Sequence, residues 1–336
     1  MFPTTALLAF PLLALMFGFL FNRKKWNPKG KHCYVTGGSQ GLGLALALLL
    51  VKLGADVSIV ARNEEKLRDA LAEMESKARQ KARKLPSQIL KWYSYDLMEY
   101  KSAEAALEAA SKGHNGRCPD ALFLCAGTSI PGFFVEEDEA SLKRGMDSVY
   151  WVQAWSALAG AKRMVRENKA GKIVLVSSLL GLMSMVGYSS YAPAKHALRG
   201  LAETLRSEMV LYGISVHIFF PGTIYSPGYE VENKHKPKIT LKIEETDGGQ
   251  TPEQSAESLL KGVQCGHFHI SADLIGNIFR ASTRGASPRS LVFLDEIYSF
   301  IGWVGFPIWR RSVDSTIKGH QQEHHDYLIE KGILSK

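Results

Sequence analysis

Cysteine is scarce in this chain, and the few that occur lie far apart. Cys33, Cys118, Cys125 and Cys265 form no C-x-x-C pair in 336 residues, which argues against a disulfide framework. Cys33 and Cys125 fall inside apolar, strand-like runs, where a thiol behaves as a small hydrophobe. Reduced thiols are therefore expected, in a body that faces the cytosol. A one-sided basic stripe is also missing. The formal charge is +8, but the Lys and Arg residues are scattered, so no nucleic-acid partner is expected. A basic surface facing anionic lipid or phosphate groups fits better. No repeat or low-complexity segment occurs. What is present, 46% apolar and 22% charged residues, describes a globular protein with a full core. The length allows one large domain with extensions, or two small domains.

Charge is absent from the first 22 residues, and residues 6–21 are almost wholly apolar. That length approaches a bilayer span. The stretch lacks the basic n-region and A-x-A site of a cleaved signal peptide. Arg23, Lys24 and Lys25 follow and place that side in the cytosol. Residues 1–25 are therefore expected to form a transmembrane anchor. At the other end, residues 276–336 form an extension with an apolar segment at 291–309. Asp295 and Glu296 interrupt that segment, and the remaining residues 297–309 are too few to span. Two readings stay open. In one, a helix lies in the membrane interface, with Trp303, Trp309, Arg310 and Arg311 at headgroup level. In the other, the helix docks on the domain. His320, His324 and His325 have spacings that zinc could use, but a solvated polar helix is the expectation, with no metal.

Between residues 26 and 275, strand-like and helix-like runs alternate. Strands are expected at 32–36, 57–61, 89–95, 121–125, 173–177 and 214–220, with the first two helices at 42–53 and 63–81. Continuous Val/Ile/Leu runs separated by helices indicate a parallel sheet covered on both faces. The fold class is α/β, a doubly wound Rossmann fold forming a single domain.

The first strand runs into V-T-G-G-S-Q-G-L-G. Gly37, Gly41 and Gly43 let the backbone turn tightly and approach a phosphate, and the next helix supplies amide donors. Ser39 and Gln40 lie in the same turn. The second strand ends Val60-Ala61-Arg62-Asn63, without the carboxylate that holds the ribose 2′-hydroxyl of NAD. Arg62 suits a 2′-phosphate, with Ser39 and Lys66 as helpers, so NADPH is the expected cofactor. Asp96 and Leu97, after the third strand, are placed beside the adenine. Ala126 and Gly127, after the fourth, are placed along the cofactor.

The segment Y-S-S-Y-A-P-A-K (188–195) contains two tyrosines and one lysine. On a helix, residues four apart share a face. Tyr191 and Lys195 are so spaced, and Tyr188 has no such partner. A phenol near pKa 10 needs roughly 4 kcal/mol of help to work at neutral pH, and an ammonium nearby favours the phenolate. Ser178, thirteen residues before Tyr191, is suited to hold a substrate oxygen, and Ser177 ranks second.

A strand, a serine pair, Y-x-x-x-K and an upstream glycine turn, in this order, resemble the short-chain dehydrogenase/reductase family over residues 30–270. The resemblance implies Ser178, Tyr191 and Lys195 as catalytic residues. It also implies that Ile224 and Ser226, in P-G-T-I-Y-S, border the nicotinamide. A homodimer or homotetramer is the family's usual assembly. Two positions depart from the pattern: N-N-A-G reads Leu124-Cys125-Ala126-Gly127, and the active-site asparagine aligns with Val149.

Within the family, A-R-N-E-E-K-L (61–67), residues 191–208 and S-P-G-Y-E-V-E-N-K-H-K-P-K-I-T (226–240) are similar to the branch that reduces 3-keto sphingoid bases. The similarity implies NADPH-dependent reduction of a long-chain amine-bearing ketone at the cytosolic face of the endoplasmic reticulum membrane. Residues 225–250 are expected to form an irregular, charged lid. Glu230, Glu232, Glu244 or Glu245 would there meet the substrate's ammonium. Two other readings remain open: a reductase of a retinoid or steroid, and a non-catalytic NADPH-binding protein.

Overall fold

The computed structural model describes residues 25–81, 88–245 and 247–335. The expected anchor at 1–25 lies outside the described residues, Lys25 excepted. Seven parallel strands form the main sheet: β1 (His32–Thr36), β2 (Asp56–Ala61), β3 (Leu90–Ser94), β4 (Ala121–Leu124), β5 (Lys172–Val176), β6 (Ser215–Phe220) and β9 (His269–Ser271). Between the last two, β7 (Thr223–Ile224) and β8 (Gly249–Gln250) pair separately. The order across the main sheet is β3-β2-β1-β4-β5-β6-β9. This is the α/β doubly wound arrangement read from the apolar runs. Six strands fall within a residue or two of their expected places. The seventh, β9, is three residues long and too short to stand out in the sequence.

The helices of the wound part are α1 (Gly41–Lys52), α2 (Glu64–Lys81), α3 (Tyr100–Lys112), α4 (Glu139–Met146), α5 (Val152–Arg166) and α6 (Ala192–Met209). Strand residues alternate between the two faces, and both faces are covered. On one side Tyr34, Leu122, Ile173, Leu175 and Ile218 pack with Ala106 of α3, Val152 and Ala157 of α5 and Leu198 of α6. On the other, Val35, Ile59, Phe123, Val174 and Phe219 meet Leu46 and Leu50 of α1, Leu67 of α2, and Leu259 of a later helix. A strand buried on both faces has no polar side to show, which is why the runs read as continuously hydrophobic. Successive strands are added in opposite directions on either side of the β1–β4 boundary. The crevice at such a switch point is where doubly wound sheets bind ligands.

The later helices are α7 (Pro227–Asn233), α8 (Lys238–Glu244), α9 (Pro252–Cys265), α10 (Leu274–Ser282), α11 (Val292–Gly319) and α12 (Gln321–Glu330). The expected irregular lid therefore contains two short helices. Ser226 accepts a hydrogen bond from the Tyr229 amide at 3.3 Å and so caps α7, while Pro237 precedes α8. At seven residues each, these helices are too short for periodicity to reveal them.

The C-terminal helix combines features of both readings. Its inner face docks: Phe306 stacks on Phe279 with centroids 4.1 Å apart, and Trp309 meets the same ring edge-on. Asp295, which breaks the apolar run in the sequence, points inward. It receives two hydrogen bonds from the Arg280 guanidinium, at 3.0 and 2.5 Å, and both groups are buried. The Ser290 amide donates to Asp295 as well, at 2.9 Å. The outer face stays exposed, with Trp303 74% and Phe300 64% accessible. Among the described residues, no helix is long and apolar enough to cross a membrane.

The histidine-bearing tail is a polar helix with no buried residue, as expected, and one edge of it touches the domain. His324 lies on Phe133 at 4.2 Å between centroids, and Tyr327 donates to Glu136. No group of three or more candidate metal ligands occurs among the described residues.

The Arg280–Asp295 pair ties α11 to α10, and removing one partner leaves a buried charge without compensation. Asp295→Ala is expected to lower the unfolding free energy by about 3–5 kcal/mol, read by urea denaturation. A loss below about 1 kcal/mol would show that the pair behaves as a surface salt bridge does.

Candidate active site

The turn after β1 bends back on itself because Gly37 takes φ +66° and Gly41 φ +56°. A side chain at Gly37 would fall 2.9 Å from the Ala126 backbone nitrogen, and one at Gly43 would collide with the Gly37 carbonyl. Both glycines are therefore required by close backbone approach as well as by conformation. Gln40 precedes α1 in an extended conformation and makes no capping bond, and the first turn carries no acidic residue. The leading amides of α1 thus keep their donors for an anion, which fits a dinucleotide pyrophosphate. Ala126 is tied to the turn by its amide, which donates to the Thr36 hydroxyl at 3.2 Å.

At the β2 tip, Lys66 donates to the Gln40 side chain at 2.7 Å, which draws two of the expected cofactor residues together. Arg62 is exposed, and its backbone carbonyl accepts from Ser94 at 2.9 Å. No carboxylate shares hydrogen bonds with the Arg62 guanidinium among the described residues. Asp96 is exposed and accepts the Met98 amide at 3.1 Å, while the Leu97 side chain turns into the core. Only the Leu97 backbone can therefore face a ligand. Ser39 is partly accessible and Gly127 is exposed, and a side-chain carbon at Gly127 would lie 3.9 Å from Lys195 Nζ. On the other bank, a side-chain carbon at Gly41 would come 3.3 Å from the Ser226 Cβ, and Ile224 pairs with Gln250.

Tyr191 caps α6, with Pro193 in its first turn, and the Lys195 amide donates to the Tyr191 carbonyl at 3.1 Å. The i, i+4 spacing has its expected result: Lys195 Nζ sits 5.3 Å from the Tyr191 ring centroid. Lys195 also donates to the Val176 carbonyl at the end of β5, at 2.9 Å. Ser178 follows two residues later and accepts the Leu180 amide. Ser177 is excluded from substrate work, because its hydroxyl is buried and donates to the Lys195 carbonyl at 2.9 Å.

Electrostatics in the protein alone differ from the sequence expectation. Burial raises the Tyr191 phenol above its usual range, the Glu232 carboxylate adds to the rise, and Ser178 opposes it. Lys195 is pushed down to about 7, chiefly by burial. Both groups are enclosed, and desolvation of the charged form is the largest cause of each shift. Tyr191 consequently holds its proton at neutral pH.

Tyr188, the tyrosine without a lysine, has two carboxylates instead. Its hydroxyl lies 2.7 Å from Glu232 and 3.0 Å from Glu244, across the lid helices. Its ring lies 5.9 Å from that of Tyr191. Of the four acidic candidates in the lid, the structure brings Glu232 and Glu244 to the site; Glu230 and Glu245 are left at the surface. Two hollows flank the tyrosines. A cleft of about 160 Å³ includes Thr128, Ile130, Ser148, Val149 and Tyr191. A groove of about 420 Å³ is walled by Phe133, Phe134, Val135, Met185, Val186 and Tyr188.

One residue escaped the sequence reading. Gln153 is fully buried one turn beyond Val149, where a π-helical turn (Asp147–Trp151) meets α5. Its amide donates to the Val176 carbonyl at 2.8 Å and accepts the Val176 amide at 3.0 Å. The signal was present: a lone glutamine four residues after Val149, on the apolar face of a helix.

The chain belongs to the short chain dehydrogenase family, whose description matches residues 31–237. It is similar to the 3-ketodihydrosphingosine reductase of Cryptococcus neoformans, at 42% identity over 93% of this chain and 91% of the relative. It is similar also to the 3-dehydrosphinganine reductase of Danio rerio, at 36% identity over 84% of this chain and 83% of that one. Among solved structures, a short-chain dehydrogenase/reductase from Burkholderia phymatum in complex with NAD superposes with a TM-score of 0.66. That match covers 79% of this chain and all of the other at 19% identity, and so speaks to the fold.

Gln153 satisfies both backbone groups of Val176, and its loss would orphan a buried N–H. Gln153→Ala is expected to lower stability by roughly 1–3 kcal/mol in chemical denaturation. An unchanged midpoint would mean that the Val176 amide finds another partner.

Proposed function

We propose that this protein reduces 3-ketodihydrosphingosine to dihydrosphingosine with NADPH, in the formation of sphingoid bases. The likeness to 3-ketodihydrosphingosine reductases over more than nine-tenths of the chain carries this reading, and the arrangement of Ser178, Tyr191 and Lys195 supports it. The catalytic unit in this proposal runs over residues 26–275 with a lid at about 225–250, followed by the extension at 276–336.

The cofactor would rest on the leading amides of α1 with Gly37, Ser39, Gln40, Gly41 and Gly43, against Ala126 and Gly127. Arg62 and Lys66 would take its 2′-phosphate, Asp96 and the Leu97 backbone would flank its adenine, and Ile224 and Ser226 would border its nicotinamide. When bound, it supplies the hydride for the carbonyl carbon. The protein's own residues do the rest. Ser178 holds the ketone oxygen, and Tyr191 gives that oxygen its proton. A phenol raised by burial suits this direction, because an acid must arrive protonated. Lys195, held by the Val176 carbonyl, steadies the phenolate once the proton has gone and reaches the nicotinamide ribose.

The apolar groove beside Tyr188 is of a size to take part of an alkyl chain. The exposed face of α11, with Ile297, Phe300, Trp303 and Ile308, suits a helix lying along a lipid surface. Together with the apolar stretch at 1–25, it supports a place at the endoplasmic reticulum membrane, with the catalytic part in the cytosol.

The test is oxidation of NADPH by the detergent-solubilised protein with 3-ketodihydrosphingosine. Tyr191→Phe is expected to bind NADPH normally and to lower kcat by at least about 100-fold, the range of acid–base contributions; near-normal turnover would remove Tyr191 from the chemistry. Arg62→Ala is expected to raise the KM for NADPH about tenfold or more, as loss of a charge-assisted hydrogen bond does, and to leave that for NADH nearly unchanged. Equal effects on the two would reject the 2′-phosphate role.

A further inference from the structure

The lid carries a buried ion-paired cluster that the reaction scheme does not use. Lys236 is enclosed, its side chain 1% exposed, and its ammonium lies 2.6 Å from Glu244 and 3.3 Å from Glu232. The Tyr229 ring sits under it at 4.5 Å, and the Tyr188 hydroxyl lies within hydrogen-bond distance of both carboxylates, closer to Glu232. Two carboxylates, an aromatic face and a hydroxyl therefore already enclose a primary ammonium, the one on this chain. The charges do not cancel: two carboxylates face one ammonium. Burial alone would lower the Lys236 ammonium, but Glu244 and Glu232 outweigh it and hold it charged.

The two carboxylates are not equivalent. Glu244 is the tighter partner of Lys236. Glu232 is the looser partner of Lys236 but the closer partner of the Tyr188 hydroxyl, at 2.7 Å, and the Tyr188 ring stands 5.9 Å from that of Tyr191. After burial, Glu232 is the largest influence raising Tyr191, and it also favours the Lys195 cation. A ketone bearing an ammonium on the adjacent carbon brings that charge within a few ångströms of the oxygen that Tyr191 protonates. Its acceptor must then be a carboxylate close to Tyr191.

We propose that Glu232 is the specificity-determining residue that receives the substrate's ammonium, and that Lys236 fills this seat until the substrate arrives. This rests on the reductase reading above and deepens it. The incoming ammonium takes the Glu232 oxygen that Lys236 contacts at 3.3 Å, while Lys236 keeps Glu244 at 2.6 Å, so the cluster reaches balance with two cations on two anions. A ketone lacking the amine leaves Glu232 facing the carbonyl with no added cation. The enzyme therefore prefers the aminated ketone by the strength of one charge-assisted contact.

The experiment compares kcat/KM for 3-ketodihydrosphingosine and for the same long-chain ketone without the 2-amino group, in wild type, Glu232→Gln and Glu244→Gln. The ratio of the two substrates within one variant is independent of how much protein folds. Glu232→Gln is expected to reduce the preference for the aminated ketone by roughly 10- to 100-fold, the range for one hydrogen bond to a charged group. Glu232→Asp should restore part of it. Glu244→Gln is expected to lower both substrates together, with the ratio kept. An unchanged ratio in Glu232→Gln, with wild type active on the aminated ketone, overturns the role of Glu232 alone. If wild type reduces neither ketone while still binding NADPH, the reductase reading falls, and this proposal with it.

Discussion

The carbonyl oxygen of Val176, at the C-terminal end of β5, accepts hydrogen bonds from Gln153 Nε2 at 2.8 Å and Lys195 Nζ at 2.9 Å. Three elements meet at that atom: the fifth strand across the sheet, the helix that follows the π-helical turn, and the helix that begins after Tyr191. Buried backbone groups must be satisfied, so strand and helices are locked in one relation, and the locked groups include the lysine beside the Tyr191 ring. Ser177, next along the strand, adds a bond to the Lys195 carbonyl. The position of Ser178 follows from the same anchor, because only one peptide separates it from the held serine. Val149 offers no polar group to this place, and the polar contact comes from Gln153, one turn later and directed at the backbone.

Enclosure sets the electrostatics. The same burial that fixes Lys195 lowers its ammonium to about 7 and raises the Tyr191 phenol. An exposed Tyr–Lys pair would favour the phenolate; an enclosed one keeps the proton on tyrosine. That difference separates a site prepared to donate a proton from one prepared to remove it. Glu232 pushes the same way, from an element that the first six strands and their helices do not include. The segment at 225–250 thus acts on Tyr191 through charge.

The extension follows a similar logic. A buried guanidinium–carboxylate pair fastens α11 to α10, and ring stacking of Phe279 with Phe306 continues the contact. One face of α11 is therefore committed to the protein, which leaves the aromatic and aliphatic face outward. The two readings of this segment, docked or facing lipid, turn out not to exclude each other, because a helix has two sides.

Much of the molecule was legible in the order of residues. Continuous apolar runs declared a sheet covered on both sides, since only a strand buried twice can dispense with polar positions. The glycines of the first turn were legible because close backbone approach admits no other side chain, and the Tyr191–Lys195 pairing because four residues make one helical turn. Other features depended on contacts between distant segments. β9 is three residues long, and α7 and α8 are seven each, too short to carry a period. The roles of Asp295, Gln153 and Lys236 depended on partners 15, 23 and 8 residues away. The acidity of Tyr191 was decided last of all, because desolvation is a property of what surrounds a group and not of its neighbours along the chain. Local spacing determined which residues could meet; only the packed structure decided how far water was removed from them, and so which of them carry charge.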